Sequence, residues 1–419
     1  MGRCVDSAPT LGAAIHAHGW GAGDLDALAG GPLAGHPIEC GPQATGGNCT
    51  DGRLAGPPDA IGHPIAEIAA GGSCALTVAP GAGGAGLRAA AAERMLYEIG
   101  APQAWALPYA ICDVSGVAMR GADGAVHVCG ARGRAPSGML KLSVSYADGF
   151  RAGQLLAFNG RDARAKAQAF AAAARRRAEA GATAPFAHWS AEALGGAPPC
   201  APEGYQEITL KLAVRHGSAA AGAGFVRGLR ARGGRPCAGD AAWAVDLHCG
   251  GAAAALAGDP PSRRLAPAAA IPARVTLDGR ALACAGPARP AADAAPKLPP
   301  IPAPPAGEPA EAPLSALGWA RSGDKGNAAD IGIIARDPAL MPWIRTAPPP
   351  PCLRGAFPEI AGAIEILDLA RLPALNILAH GTLRGGGAVS LRHGAQAKSW
   401  AQRPLAQPIA VPAALISPR

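Results

Sequence analysis

Aromatic residues make up only 4% of the 419-residue chain and charged residues only 16%. A core short of aromatics has to be built from Ala, Leu, Ile and Val. No two of the 11 cysteines stand at C-x-x-C spacing, and the chain is too long for so few to act as a disulfide scaffold. Reduced thiols and a cytoplasmic location are expected. No run of about 18 apolar residues is free of charge, proline or turn signals, so no membrane span is expected. The opening Met1-Gly2-Arg3-Cys4-Val5-Asp6 has no apolar run of the signal-peptide kind, and Asp6 stands where myristoylation requires Ser or Thr. There is no G-x-S-x-G elbow, no H-E-x-x-H and no Walker A lysine. His36, His63 and Cys40 have no ligand spacing, and no metal is expected.

What is abundant is glycine, with 58 residues, and proline, with 42, so many loops are expected. Hydrophobic residues at 49% rule out a chain disordered throughout, and the length suffices for two domains. A net charge of +8 raises nucleic-acid binding. However, Arg175, Arg176 and Arg177 form the only basic triplet, on an Ala-rich segment without aromatics. That pattern reads as a solvated helix face, and no nucleic-acid partner is expected.

Composition divides the chain at 286–313, a Pro- and Ala-rich run without apolar period that reads as an extended linker. It separates a region 1–285 from a domain 314–419. Four consecutive prolines within 347–352 read as a loop insertion in the latter. In the first region 74–78 (CALTV), 104–107, 110–114, 141–146 (KLSVSY) and 208–214 (ITLKLAV) read as strands. Helices are expected over 87–99, 162–180 and 218–232. Strands interleaved with helices predict an α/β layer with a mainly parallel sheet and flanking helices. The stretch 236–282 has short apolar pieces and a candidate strand at 273–277. Strands at 331–335, 364–369 and 388–391, with short helices, predict a small α+β C-terminal domain.

Four segments carry candidate chemistry. The run Gly81-Ala82-Gly83-Gly84-Ala85-Gly86 matches G-x-G-x-x-G between a predicted strand and a predicted helix. Gly81, Gly83, Gly84 and Gly86 could let backbone approach a phosphate at a helix N-terminus, or simply turn the chain. His36, Glu39, Cys40, Asn48 and Asp51 crowd into 16 residues read as a Gly-rich loop. They could supply an acid or base, a thiol and an amide, or form a tight structural turn. Arg132 and Arg134 flank a glycine and could clamp a carboxylate or phosphate, or be solvated. Arg321, Ser322, Asp324, Lys325 and Asn327 suit an anion-binding nest or a polar hairpin turn. Loops 36–51 and 130–138 are expected to share one cleft, with 321–327 at its rim or on a facing subunit, Glu39 drawing on Arg132, Arg134 or Lys325.

Several segments resemble the AtuA family, the acyclic terpene utilisation proteins. They are GHPIECGPQATGGNCTD (35–51), GHPIAE (62–67), TVAPGAGG (77–84), ERMLYEIGAP (93–102), Cys112-Asp113-Val114-Ser115, GARGRAPSG (130–138) and SYADGFR (145–151). The runs ARSGDKGNAADIGIIAR (320–336) and GGGAVSLR (385–392) resemble the family's appended ferredoxin-like domain. Against the family pattern, His63 stands for a Tyr and Val78-Ala79 for Lys-Pro, and an opening α/β segment is expected to be missing. The resemblance implies catabolism of acyclic terpenes and branched acyl-CoA compounds. It makes a hydratase- or lyase-type step on an acyl-CoA or isoprenoid acid the leading expectation, with a coenzyme A thioester as substrate and no certain cofactor. His36 and Glu39 are then acid/base candidates, Asn48 orients the substrate, and Cys40 is a nucleophile or a passive thiol. The alternatives are a non-catalytic partner or assembly subunit for acyl-CoA carboxylase-type enzymes, or an inactive shortened member; a homo-oligomer or a carboxylase partner is the expected association.

Overall fold

The structure, a computed structural model, describes residues 7–84, 86–142, 146–147, 149–181, 184–199, 201–233, 244–245, 254–255, 264–283, 309–346, 353–354, 357, 360, 362–369, 371–387 and 389–413. Most of the expected linker, the proline-rich break at 347–352, residue 85 of the Gly run, residues 143–145 of the strand expected at 141–146, and residue 388 lie outside the described residues. Compactness divides the chain differently from composition. One unit gathers 1–142, 263–382 and 397–419; the other holds 143–262 and 383–396.

In the first unit, α1 (Ala8–His18) packs on α2 (Leu25–Glu39). The sequence of α2 is a poor helix former, because Pro32 and Pro37 lie inside it. Each interior proline costs about 3 kcal/mol. Tertiary packing offsets this, since every residue from Leu28 to Pro37 is buried. The glycines of α2 permit that packing: a Cβ on Gly31 would lie 2.7 Å from Leu11 Cδ1. His36 and Glu39, expected on a loop, therefore stand on the last turn of a helix.

Strands Pro64–Ile68, Cys74–Val78, Ala125–Cys129 and Ala118–Ala122 form an antiparallel sheet in that order. Strands Trp105–Ala106, Ile111–Asp113 and Arg132–Arg134 form a second. Between them runs α3 (Arg88–Leu96), an Ala-rich helix buried from Ala89 to its end. The C-terminal part supplies a third antiparallel sheet, Gly318–Lys325, Ala328–Ala335, Ala374–Ala379 and Ile364–Leu369 in that order. All eight residues of Ala328–Ala335 and all six of Ala374–Ala379 are buried, so both faces are covered. α3 lies against this sheet, which also packs on the helix Met341–Thr346. Residues 309–313, read as the end of a linker, are a strand paired with Pro408–Pro412. One hydrophobic core joins Leu33, Met95 and Leu96 to Ile334, Leu369, Leu372 and Ala374.

In the second unit, strands His188–Gly196, Tyr205–His216, Phe150–Arg161 and Ala244–Val245 form an antiparallel sheet in that order. The helices Ala163–Ala180 and Ala219–Gly233 cover one face through Leu156, Phe158, Ile208, Leu210, Leu212 and Phe225. Arg175 of the basic triplet is exposed and pairs with Glu179 at 2.8 Å, one turn on.

The mainly parallel sheet is not observed. Every ladder among the described residues is antiparallel, and the lone parallel contact is the bridge Ile61–Gly83. Parallel pairing needs a crossover of a dozen or more residues. Several connections here are far shorter: Asp123-Gly124 and Asp278-Gly279, both pairs with positive φ, close two-residue hairpins. The strand expected at 388–391 is also corrected, since 389–391 are not in a strand.

Candidate functional site

A helix buried on all sides is normally apolar. α3 instead buries two ionisable side chains, Glu93 and Arg94, each only 2% exposed. Its C-terminal turn reaches the C-terminal sheet because that sheet offers two bare backbones. A Cβ on Gly332 would lie 2.6 Å from Leu96 Cβ, and one on Gly323 2.7 Å from Tyr97 Cε2. Tyr97 and Glu98 are thereby laid on the hairpin 318–335. Glu98 has φ of 60°, and its N–H donates to Asp330 Oδ2 at 2.9 Å.

Around this turn the charges sort into pairs. Arg94 Nη2 binds Glu39 Oε2 at 2.8 Å, with the arginine side chain buried and the carboxylate open to solvent. His36 Nε2 lies 2.8 Å from the Tyr97 carbonyl, and its ring meets Trp105 edge-on. Asp51 is gripped by both terminal nitrogens of Arg336 and accepts from Trp319 Nε1 at 2.6 Å. Lys398 Nζ lies 2.5 Å from Glu98 Oε1 and 3.7 Å from Asp324 Oδ1. The Tyr97 ring is flanked by three cations: Lys398, Arg94 and Arg321 at 4.4, 4.5 and 5.1 Å from its centroid.

One oppositely charged couple does not close. Arg321 is 6% exposed and spends its terminal nitrogens on neutral oxygens, the Asn48 carbonyl at 2.7 Å and Gln43 Oε1. Glu93 accepts the Thr50 N–H at 2.9 Å on Oε1, while buried Oε2 has no hydrogen-bond partner. The two feel one another electrostatically, yet no ion pair joins them among the described residues. Burial pushes the Glu93 carboxyl up to about 7, against the Thr50 hydrogen bond and the Arg321 charge that draw it down. Burial likewise lifts the Cys40 and Cys49 thiols to about 11. Both stay protonated at neutral pH, and Cys40 Sγ donates to Glu39 Oε2 at 2.8 Å.

The sequence-predicted residues divide into those gathered here and those placed elsewhere. His36, Glu39, Cys40, Arg321 and Asp324 belong to this cluster. Asn48 enters through its carbonyl, and Asp51 is consumed in holding Trp319 and Arg336. Ser322 is fully buried and ties its strand to the turn at Ala397–Ala401. Lys325 ends the strand, and Asn327 lies in the hairpin turn, its carbonyl accepting from Thr382 N–H. Arg132 and Arg134 are not beside Glu39. Arg132 Nη1 binds Asp26 at 2.6 Å, at the start of α2, and Arg134 donates to the Gln103 carbonyl. Glu39 ends α2, 13 residues and about 20 Å of helix away. The shared cleft of loops 36–51 and 130–138 is thus corrected, because α2 is a helix that holds its ends apart.

The Gly run turns the chain, with Gly81, Gly84 and Gly86 at positive φ. A Cβ on Gly83 would lie 2.9 Å from the Ala55 carbonyl, and one on Gly84 would overlap the Thr45 backbone. The close approach these glycines permit is made by the chain itself. Glu93, Arg94, Tyr97, Glu98, Arg336 and Lys398 were not singled out from sequence. ERMLYEIG carries four polar side chains in six residues before a glycine stop, and that density was the available signal.

Comparison with family models matches residues 1–245 to the acyclic terpene utilisation family protein AtuA and residues 312–410 to the AtuA ferredoxin-like domain. Searches of curated proteins and of solved structures returned no match.

Proposed function

Since the chain belongs to the AtuA family of acyclic terpene utilisation proteins, we propose that it is an enzyme of acyclic terpene breakdown performing an acid–base step on a branched acyl-CoA or isoprenoid acid. The step is a hydration or a lyase-type cleavage beside the acyl carbonyl. The unclosed couple Glu93 and Arg321 supports this reading. A buried carboxyl near 7 gives and takes protons readily at neutral pH. A buried guanidinium near it stabilises negative charge developing on the acyl oxygen. Glu93 moves the proton at the carbon next to that carbonyl, and Arg321 holds the oxyanion. Cys40 and Cys49, protonated at neutral pH, take no nucleophilic part. Arg94, His36 and Glu39 fix the turn that carries Glu93.

The test is turnover of branched unsaturated acyl-CoA esters, such as 3-methylcrotonyl-CoA, and of the free acids, followed by mass spectrometry in D2O. Deuterium should enter next to the carbonyl. Glu93→Gln should slow the exchange by about 10²–10⁴-fold, and the wild-type rate should depend on a group titrating near 7. No exchange with any substrate, or a rate indifferent to Glu93→Gln, would move the protein to the non-catalytic partner reading.

A further inference from the structure

Lys398 stands out among the cations around Tyr97. Its side chain is 38% exposed, whereas that of Arg94 is 1% exposed and Arg321 as a residue 6%. Among these three cations it is the one amine, and the guanidiniums cannot act as nucleophiles; Lys325, a second amine whose charge acts on Glu98, ends the strand Gly318–Lys325. Its nitrogen has a carboxyl group at each hand, Glu98 at 2.5 Å and Asp324 at 3.7 Å.

The Lys398–Glu98 pair is built at a cost in backbone strain. Glu98 has φ of 60°, and Ala397, immediately before Lys398, has φ of 55°. Non-glycine residues adopt that region only where the surroundings impose it, and such strain gathers at functional sites. Two buried groups of the C-terminal hairpin impose it here. Asp330, 0% exposed, takes the Glu98 N–H. Ser322, also 0% exposed, donates its hydroxyl to the Ala397 carbonyl at 2.7 Å and accepts the Ala401 N–H at 2.8 Å. A surface ion pair needs no such support. These two strained residues and two buried supports put one amine against one carboxyl, half-open to solvent.

We propose that Lys398 is a nucleophile that condenses with an aldehyde or ketone carbonyl to give an iminium, with Glu98 carrying the protons. This rests on the reading of the cluster as an acid–base site, and narrows the substrate to carbonyl compounds such as 3-oxo acyl derivatives or β-hydroxy ketones. The neutral amine attacks the carbonyl carbon, and the π pair moves to oxygen, which takes a proton from Glu98. The nitrogen returns a proton to the Glu98 carboxylate. Glu98 then protonates the departing hydroxyl, which leaves as water while the nitrogen lone pair forms C=N. The net change is amine, carbonyl and one proton to iminium and water, without oxidation or reduction. The iminium is the electron sink that a cleavage or proton removal at the next carbon requires. Burial draws the Lys398 ammonium down and the Glu98 carboxyl up, bringing the acidities of the two partners together.

The test is borohydride trapping on the full chain with two probes, acetoacetate and the isoprenoid methyl ketone 6-methylhept-5-en-2-one. Intact mass and peptide mapping locate the reduced adduct. The expected result is a single adduct on the peptide holding Lys398, at least about tenfold above Lys141, Lys166, Lys211 or Lys325, and lost in Lys398→Arg. Glu98→Gln should slow trapping without moving it, and Glu93→Gln should leave trapping intact while slowing proton exchange by about 10²–10⁴-fold. Label spread over the lysines by exposure, or no adduct, overturns the proposal. So does turnover that needs Glu93 but is unchanged in Lys398→Arg, which would leave the acid–base reading standing. Selective trapping at Lys398 in a protein that exchanges no proton would sink that reading and support the amine chemistry.

Discussion

Glu93 and Asp330 are carboxyl groups enclosed by the fold, 2% and 0% exposed, each with one oxygen lacking a hydrogen-bond partner. Burial raises both to about 7, from 4.5 for Glu93 and 3.8 for Asp330. A carboxyl raised on folding binds more protons in the native than in the unfolded chain between those values. Stability from these groups is therefore full below their unfolded values and is lost as pH rises through about 7, on the order of 3–4 kcal/mol for each. Glu93→Gln and Asp330→Asn should each flatten that decline, and Asn keeps an oxygen for the Glu98 N–H. Urea midpoints at pH 4.5, 5.5 and 7 check this; variants with the wild-type slope would contradict it. At this scale the sequence was partly readable. His36, Glu39 and Cys40 stand out because a short, glycine-rich run holds three reactive types. Glu93 and Arg94 stand on an Ala-rich helix, and the residues that enclose them, Glu39 and Thr50 together with the strand bearing Arg321, are distant in sequence. Nothing around Lys398 in AQAKSW marks it.

At the scale of elements, the site depends on α3 lying closely on the C-terminal sheet, and Gly332 sets that approach. A methyl there would lie 2.6 Å from Leu96 Cβ and would push the turn bearing Tyr97 and Glu98 off the hairpin. Gly332→Ala should lower stability by about 1–3 kcal/mol through overpacking, visible as a drop in thermal midpoint, with loss of any Glu93-dependent activity. Gly12 in α1 is the control, since a Cβ there meets nothing within 4 Å. Gly12→Ala should be neutral or stabilising by up to about 1 kcal/mol. Equal effects from the two would show that helix propensity, not contact, decides. The elements readable from sequence are those in which local preference and packing agree. The Ala-rich helix expected at 162–180 is observed at Ala163–Ala180, and strands 74–78 and 364–369 stand as expected. α2 was hidden because two prolines and three glycines oppose a helix that only burial sustains. Strand Gly318–Lys325 was hidden because Arg, Ser, Gly, Asp and Lys read as a turn, although each polar group finds a use there.

For the molecule as a whole, the consequence lies in how the first compact unit is shared along the chain. Residues before 143 and residues after 308 fill one core, where Leu33, Met95 and Leu96 meet Ile334, Leu369 and Ala374. Across that junction Arg321 binds Asn48, Arg336 binds Asp51, and Asn376 Nδ2 donates to the Ile99 carbonyl at 2.5 Å. Burying one Leu or Ile side chain is worth about 1.5–3 kcal/mol. Separating the parts would expose several such side chains and strand Arg321, Asp330 and Asn376 without their partners, at about 1–3 kcal/mol for each unsatisfied group. A cut in the chain between 286 and 308 should therefore leave the two parts bound. With a specific protease site placed at 290–300, the cleaved protein should elute from gel filtration at the position of the intact chain in native buffer and separate only in denaturant. Residues 314–419 expressed alone should be poorly folded, with low thermal cooperativity, and should gain a cooperative transition when refolded with residues 1–285. A C-terminal piece that melts cooperatively by itself and does not bind the other would mean that the composition boundary, and not the shared core, defines the folding units. The cluster around Glu93, Arg321 and Lys398 would then have to be assembled by docking after folding.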